Sequence, residues 1–387
     1  MKGNKVMYTY NQPVKILHGA GILEKLGEEA IQYGNKAFIV TGKTSAHKTG
    51  LIERVKEILL KSSIEYVIFN RAESNPLTTT AMIGAKVYKE EGCDFVLGIG
   101  GGSAMDCAKA IAFLTENEGD ISDYIMGIKQ GENAAPILLV TTTAGTGSEA
   151  NSLAVLTNPE NNDKKSLKHP SIYAKVSFVD PELMVTLPTR FIASCGFDAF
   201  THCYEAFIAN RSTPESAALA LEGIEMIFEN LVNVYHDPTD IQSFSKVAHA
   251  NTLGGIAIDM SGVNLNHGLE HPVSGLLDAS HGEGLAALFI PTFEYTKDKV
   301  REKLIKIGEL ITDKSATDDE KVESTCKKIK SILEEIDLNI TLTDLGVKEK
   351  HINWLTENAF KTMNYAITNN PIIATHEDVK EIYKKCL

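Results

Sequence analysis

The chain has 387 residues, 43% of them hydrophobic and 23% charged, a globular composition. At roughly 150 residues per domain, that length allows about two or three domains. Lys and Arg number 38 against 51 Asp and Glu, a net charge of −13. Neither a nucleic acid nor an anionic membrane is therefore an expected partner, since both call for a cationic surface.

The opening Met1–Val6 stretch has no apolar run of the kind a secretory signal needs. Nowhere does an apolar run approach the ~20 residues that cross a bilayer. Up to about residue 180, short β-rich runs alternate with amphipathic stretches. The runs are Ala37–Thr41, Tyr66–Phe69, Phe95–Ile99, Pro136–Thr141 and Val176–Val179, with helical patterns such as Leu51–Leu60 and Met105–Phe113 between the first four. This alternation predicts βαβ units and a doubly wound parallel sheet. After Thr186-Leu-Pro188 the strand signal stops, and nearly everything to Leu387 reads as helix, as in Ala217–Val232 and Lys321–Ile336. Breaks are expected at Pro214, Asp237-Pro238, Gly254-Gly255, Pro272, Pro291 and Pro371, and the charged Asp313–Lys321 segment reads as an exposed loop. The predicted organisation is an α/β domain over residues 1–185 and a helical domain over 186–387. Cys93, Cys107, Cys195, Cys203, Cys326 and Cys386 are scattered without a CxxC pair, which predicts reduced thiols in a cytoplasmic protein.

On a parallel sheet, ligands bind beyond the carboxyl ends of the strands. Gly98-Ile-Gly-Gly-Gly-Ser103 leaves a buried strand and opens a helix. Its glycines let a ligand approach the backbone, and the helix start offers free N–H groups to a phosphate. Ser103 is also a good N-cap, but three consecutive glycines exceed what a cap needs. The run is not a GxGxxG fingerprint. The next strand ends in Thr141-Thr-Thr-Ala-Gly-Thr-Gly-Ser-Glu149, a loop dense in hydroxyls suited to phosphate, ribose or carboxamide, or else simply a polar loop rich in caps. Thr41-Gly-Lys-Thr-Ser45 follows the first strand and lacks the spacing of a P-loop.

In the helical half, Asp198 and His202 are four residues apart, as are His267 and His271, and His281 follows ten residues on. Partners at i and i+4 share a helix face with Cβ atoms about 5–6 Å apart, close enough for one divalent ion to reach both. The pattern points to a site for Fe, Zn, Co or Ni with imidazole and carboxylate ligands.

Together these features resemble the iron-containing (group III) alcohol dehydrogenases. The resemblance is carried by Gly100-Gly-Gly-Ser103 with Asp106 and Lys109, Thr142–Glu149, Phe197-Asp-Ala-Phe-Thr-His202, and His267-x3-His271-x9-His281. It runs nearly end to end and implies a dinucleotide-binding α/β domain, a helical metal domain and a cleft between them. It also implies a homodimer, metal ligation by Asp198, His202, His267 and His281, and a proton-relay role for His271. Gly101, Gly102, Ser103, Asp106, Thr142, Thr143, Thr146 and Asn151 would line the cofactor, with Asn75 and Lys164 as further carry-overs. Asn151 stands where the family commonly has Thr. The ion expected is Fe²⁺, with Zn²⁺ the alternative because the Irving–Williams order favours it at such ligands.

A divalent ion acting on an alcohol oxygen as a Lewis acid, beside a nicotinamide that takes a hydride, gives alcohol dehydrogenase chemistry. His202 argues against a zinc polyol dehydrogenase of the glycerol type, whose pattern lacks that histidine. The intact ligand set argues against a non-catalytic nucleotide-binding protein. NAD-preferring members of the family often carry Asp just after the first strand, where an acidic side chain accepts from the ribose 2′-hydroxyl. Gly42 stands there in this chain, flanked by Lys43, Ser45 and Lys48, which predicts NADP over NAD.

Overall fold

A computed structural model describes residues 10–387, with the side chains of Ser45 and His47 outside that description. The expectation made on Met1–Val6 also lies outside the described residues. Six parallel strands form one sheet in the order β1-β8-β5-β4-β2-β3. They are β1 (Lys15–His18), β2 (Lys36–Gly42), β3 (Glu65–Ala72), β4 (Phe95–Gly100), β5 (Ile137–Thr141) and β8 (Val176–Val179). β6 (Leu153–Asn158) and β7 (Asp163–Lys168) make a separate antiparallel hairpin. The five runs read from the sequence are all strands. The short, half-exposed β1 and the lysine-rich β7 carry no apolar run, whereas β6 carries one, Leu153–Leu156, that was not singled out from the sequence.

The sheet is covered on both faces. Along β2, Phe38 and Val40 enter one core, shared with α2 (Thr78–Glu91) and α3 (Gly102–Glu116), while Ala37 and Ile39 enter the other with α1 (Leu51–Lys61). Strands buried on both faces read as continuous apolar runs, as these do. Register pairs Thr41 with Ile99, Gly100 with Thr141 and Gly42 with Ala72, so the carboxyl ends of β2, β3, β4 and β5 form a common rim.

Beyond Val179 the chain is helical: α4 (Thr189–Ile208), α5 (Pro214–His236), α6 (Ile241–Ser261), α7 (Leu265–Leu277), α8 (His281–Thr296), α9 (Asp318–Glu335) and shorter pieces. The fold is thus an N-terminal α/β domain followed by a helical one. The second core is rich in aromatic residues, with Phe197, Phe200, Tyr204, Phe228, Phe289 and Phe293 in mutual contact.

Three expected breaks are not breaks. Gly254-Gly255 lies inside α6, Pro272 inside α7 and Pro291 inside α8. Tertiary packing there overrides local propensity, since each helix is buried along most of its length. The expected loop at 313–321 is also shortened. Thr317 caps α9 in a capping box with Glu320, so acidic residues 318–320 form the first turn, where the helix dipole favours them.

Gly255 has a packing reason. The loop after β5 crosses α6 backbone to backbone: a Cβ on Gly255 would run into the Gly147 carbonyl, and Gly147 has φ 60° and donates its N–H to Asn251 Oδ1 at 2.7 Å. Gly255→Ala therefore sets a helix-propensity gain of ~1 kcal/mol against an overpacking cost of ~1–3 kcal/mol at rigid backbone. The expected outcome is a lowered thermal midpoint. A midpoint equal to or above wild type would show that the loop can move away.

Candidate active site

The rim and the helical domain line one common cleft. From the α/β side it is lined by Asn75 after β3, Gly102 and Ser103 opening α3, and Thr146, Ser148 and Asn151 from the loop after β5. From the helical side come His202, His267, His271 and His281. Two groups of residues far apart in the sequence thus face one space.

At the Gly100–Ser103 turn, α3 begins at Gly102 with Gly101 as its N-cap, and no side chain caps it. Ser103 is not the cap: its hydroxyl donates to the Ser74 carbonyl. The Gly102 and Ser103 N–H groups are therefore left to a ligand, while Ala104 N–H donates to the Gly101 carbonyl. Cβ atoms on Gly101 and Gly102 would press on Thr143 and Thr146 respectively, so the two loops lie in direct contact. Thr142 bonds its N–H to the Gly100 carbonyl at 3.0 Å. Asp106 lines the cleft, yet its oxygens accept from Ser148 Oγ (2.6 Å) and the Val155 N–H (2.9 Å). The Asn151 amide bonds to Gly147 and Leu153 within its own loop and accepts from Lys109 Nζ of α3. Gly42 sits at the end of β2, where among the described residues only the Ala72 carbonyl comes near its Cβ position, at 3.8 Å. Gly42, Gly101, Thr142 and Thr143 do not line the cleft itself, and Ser45's side chain is outside the described residues.

On the helical side, Asp198, His267 and His281 bring ligand atoms within 4.8 Å of one another. Asp198 Oδ1 lies 3.6 Å from His267 Nε2 and 3.9 Å from His281 Nε2. His202 stands at the edge of this group: its Nδ1 is 3.4 Å from Asp198 Oδ1 and 3.1 Å from the Gly145 carbonyl, and its ring stacks on His267. Donation from Nδ1 to that carbonyl leaves Nε2 with the lone pair a cation needs.

Two carboxylates set the other rings. Glu205 Oε2 takes His267 Nδ1 at 2.5 Å, and Glu270 Oε2 takes His281 Nδ1, while Ser274 donates to Glu270 Oε1. Each ring therefore turns Nε2 toward Asp198. Behind them, Lys164 Nζ bonds Asn75 Oδ1 at 3.0 Å and lies 3.8 Å from Glu270. Glu205 and Glu270 were not singled out from the sequence. The available signal was a carboxylate three residues beyond a candidate ligand, His202 or His267, in an otherwise apolar helix.

Asp198 Oδ1 and His267 Nε2 are buried and without a hydrogen-bond partner. Burial alone would raise the Asp198 pKa, but His202, His267 and His281 hold it well below the usual carboxylate range. Burial opposes a charge on His267, yet Glu205 and Asp198 outweigh it and push that pKa up to about 9. Burial drives His202 down to about 4. A divalent cation fits here: it satisfies both orphaned atoms and replaces the proton that Asp198 and His267 would otherwise share. Glu270, His271 and His281 also approach one another, but Glu270 is already engaged by Ser274 and His281.

A family model of iron-containing alcohol dehydrogenases matches residues 13–181, and the model of that family's C-terminal domain matches 192–387. The chain belongs to the iron-containing alcohol dehydrogenase family. The NAD-dependent methanol dehydrogenase of Bacillus methanolicus is 32% identical, over 95% of this chain and 97% of its own. The choline dehydrogenase of Bacillus subtilis is also 32% identical, over 98% and 95%. The crystal structure of an archaeal alcohol dehydrogenase from a halo-thermophilic Red Sea brine pool superposes with a TM-score of 0.93 at 34% identity, covering 99% of this chain and 100% of that one. The resemblance read from the sequence is borne out, and with it the reaction class, metal-dependent alcohol dehydrogenation with a nicotinamide dinucleotide. No helix among the described residues is long and apolar enough to cross a membrane.

If Glu205 sets the His267 tautomer, Glu205→Gln should weaken metal retention by about 10–100-fold, the usual effect of losing an outer-shell partner. Titration with a competing chelator checks this. Retention equal to wild type would make Glu205 a packing residue only.

Proposed function

We propose that this enzyme interconverts small primary alcohols or diols and their aldehydes, using NADP(H) in preference to NAD(H). Asp198, His202, His267 and His281 would hold the metal, Fe²⁺ with Zn²⁺ the alternative. The observation that carries the reading is the single cleft shared by the capless α3 turn, the hydroxyl loop and the imidazoles. Methanol and choline, named for the two Bacillus relatives, are small alcohols of the kind such a cleft admits. A domain boundary at 185/186, a homodimer and a cytoplasmic location belong to the same reading. The six free thiols suit that location.

When bound, the cation acidifies an alcohol hydroxyl as a Lewis acid and the nicotinamide accepts the hydride. The chain's residues do the rest. Gly102 and Ser103 offer backbone N–H groups to the dinucleotide phosphates. Thr146, which lines the cleft, offers its hydroxyl from the loop after β5, and Thr142 and Thr143 would offer theirs from that loop beyond the cleft's lining. Lys164 and Asn75 brace Glu270, and so the orientation of His281.

His271 is buried against the cleft, and its Nδ1 has no hydrogen-bond partner. Burial, reinforced by Lys164, His281 and His267, holds its pKa well below the ordinary imidazole value. The ring is thus neutral, with an imidazole lone pair able to accept the proton an alcohol loses. His271→Ala should keep the metal and lower turnover by about 10²–10⁴-fold, the range of a lost general base. Elemental analysis beside steady-state rates with a short-chain alcohol separates the roles, and loss of metal in that variant would make His271 a ligand.

The NADP preference rests on Gly42. Gly42-Lys-Thr-Ser45 places no carboxylate directly after β2 to repel a 2′-phosphate, and among the described residues a Cβ at Gly42 would meet the Ala72 carbonyl at an ordinary contact distance. Gly42→Asp should weaken NADP(H) far more than NAD(H). A wild-type specificity constant higher for NADH than for NADPH would overturn the preference.

A further inference from the structure

Lys109 does not line the cleft, yet it is fully buried. Its Nζ faces five oxygens: the carbonyls of Ser148 (2.5 Å), Asn151 (2.9 Å) and Leu153 (2.9 Å), the Ser148 hydroxyl (2.9 Å) and the Asn151 amide oxygen (3.0 Å). All five belong to neutral groups on residues 148–153. An ammonium has three protons and cannot serve five oxygens with full hydrogen bonds. It acts here as a compact charge inside an oxygen cage, as a bound monovalent cation would.

The cage has a fixed relation to the cleft. Lys109 lies on α3, whose first turn, Gly102 and Ser103, faces the cleft, and Ser148, Asn151 and Leu153 face it from the caged loop. Asp106, one turn before Lys109, holds the same loop through Ser148 Oγ and the Val155 N–H. On its far side the loop is tied to α6, where Glu149 Oε1 accepts from Asn251 Nδ2 and Thr252 Oγ1, each at 2.8 Å.

We infer that Lys109 is a positioning residue: a tethered cation around which residues 148–153 fold, fixing the hydroxyl loop against the phosphate turn so that the cofactor meets a preformed cradle. The inference rests on the reading that the cleft holds a dinucleotide. Its effect falls on cofactor binding, because the charge orders the loop before the ligand arrives and takes no part in the reaction.

The test uses the full-length, metal-loaded enzyme. Dinucleotide binding to wild type is measured first, by quenching of protein fluorescence, and its absence would overturn the functional reading whatever Lys109 does. Given binding, Lys109→Met should raise the cofactor KM by about tenfold or more, as expected for lost charge-assisted hydrogen bonds, with kcat at saturating cofactor within about threefold of wild type. Lys109→Ala opens room for a free cation, so ammonium or potassium chloride should lower its raised KM while tetramethylammonium chloride at equal ionic strength should not. Should these variants fail to fold, Lys109→Gln keeps length and donors without charge, and the same rise in KM is required of it. An unchanged cofactor KM would overturn the proposal. So would a fall in kcat with no change in KM, or a loss that no small cation restores.

Discussion

Asp198, Glu205 and Glu270 are carboxylates buried in a helical domain, and the rings of His202, His267, His271 and His281 are packed around them. In so dry a place a carboxylate without a partner costs several kcal/mol, and removing one member of a buried ion pair costs ~3–5 kcal/mol. The arrangement satisfies this constraint by dividing the nitrogens. Each glutamate takes one nitrogen of one imidazole, and the nitrogen left over points at Asp198. Helices α4, α7 and α8 must converge for that to happen. The packing of Phe197, Phe200 and Phe289 between α4 and α8 holds two of the three together. What remains unsatisfied, Asp198 Oδ1 and His267 Nε2, is what a cation completes.

The second constraint is distance between domains. Chemistry shared by a cofactor on one domain and a metal on another tolerates little error, since a displacement of about 1 Å can cost ~10²-fold in rate. The loop after β5 is the part that must hold still. It is fixed to the sheet domain by Asp106 and Lys109, and to α6 by Asn251, Thr252 and the close crossing of Gly147 and Gly255. Asp259 adds another tie, accepting from Ser152 N–H and Oγ and from the Tyr173 hydroxyl. The loop is thus braced from both domains.

What could be read in the sequence follows from which features are one-sided. Gly100–Gly102 and the threonines of 141–146 are compositions that ordinary turns do not need, so they marked the rim. Asp198 with His202 and His267 with His271 share a spacing that puts each pair on one face. Glu205 and Glu270 stayed hidden because glutamate is common on helices and only burial distinguishes these two from solvated ones. Asp106 was legible as part of the constellation, but sequence gives no means of telling a carboxylate that touches a ligand from one that grips Ser148 and Val155. The glycines of α6 and the prolines of α7 and α8 misled for the opposite reason. A local rule for ending helices holds until neighbouring surfaces supply more energy than the break would release.

Helix α7 shows how few positions carry the site. His267 and His271 are one turn apart on one face, and Glu270 lies between them, rotated by about 100° from His271. The same turn of helix therefore turns one ring toward Asp198, grips the ring of His281 on the neighbouring helix, and presents a neutral imidazole to the cleft. Pro272 follows at once. It has no N–H to give the Gly268 carbonyl, so this turn lacks one of its own backbone bonds. Its geometry is held from outside instead: by Glu205, which also accepts the N–H groups of Asn266 and His267, by Asn264 and Asn266 donating to the carbonyls of Glu205 and Leu285, and by the Tyr383 hydroxyl on the Leu269 carbonyl. A displacement of α7 would move His267, the Glu270 carboxylate that holds His281, and His271 together. On the proposed assignment, metal placement and proton transfer would therefore be set by the same hydrogen bonds.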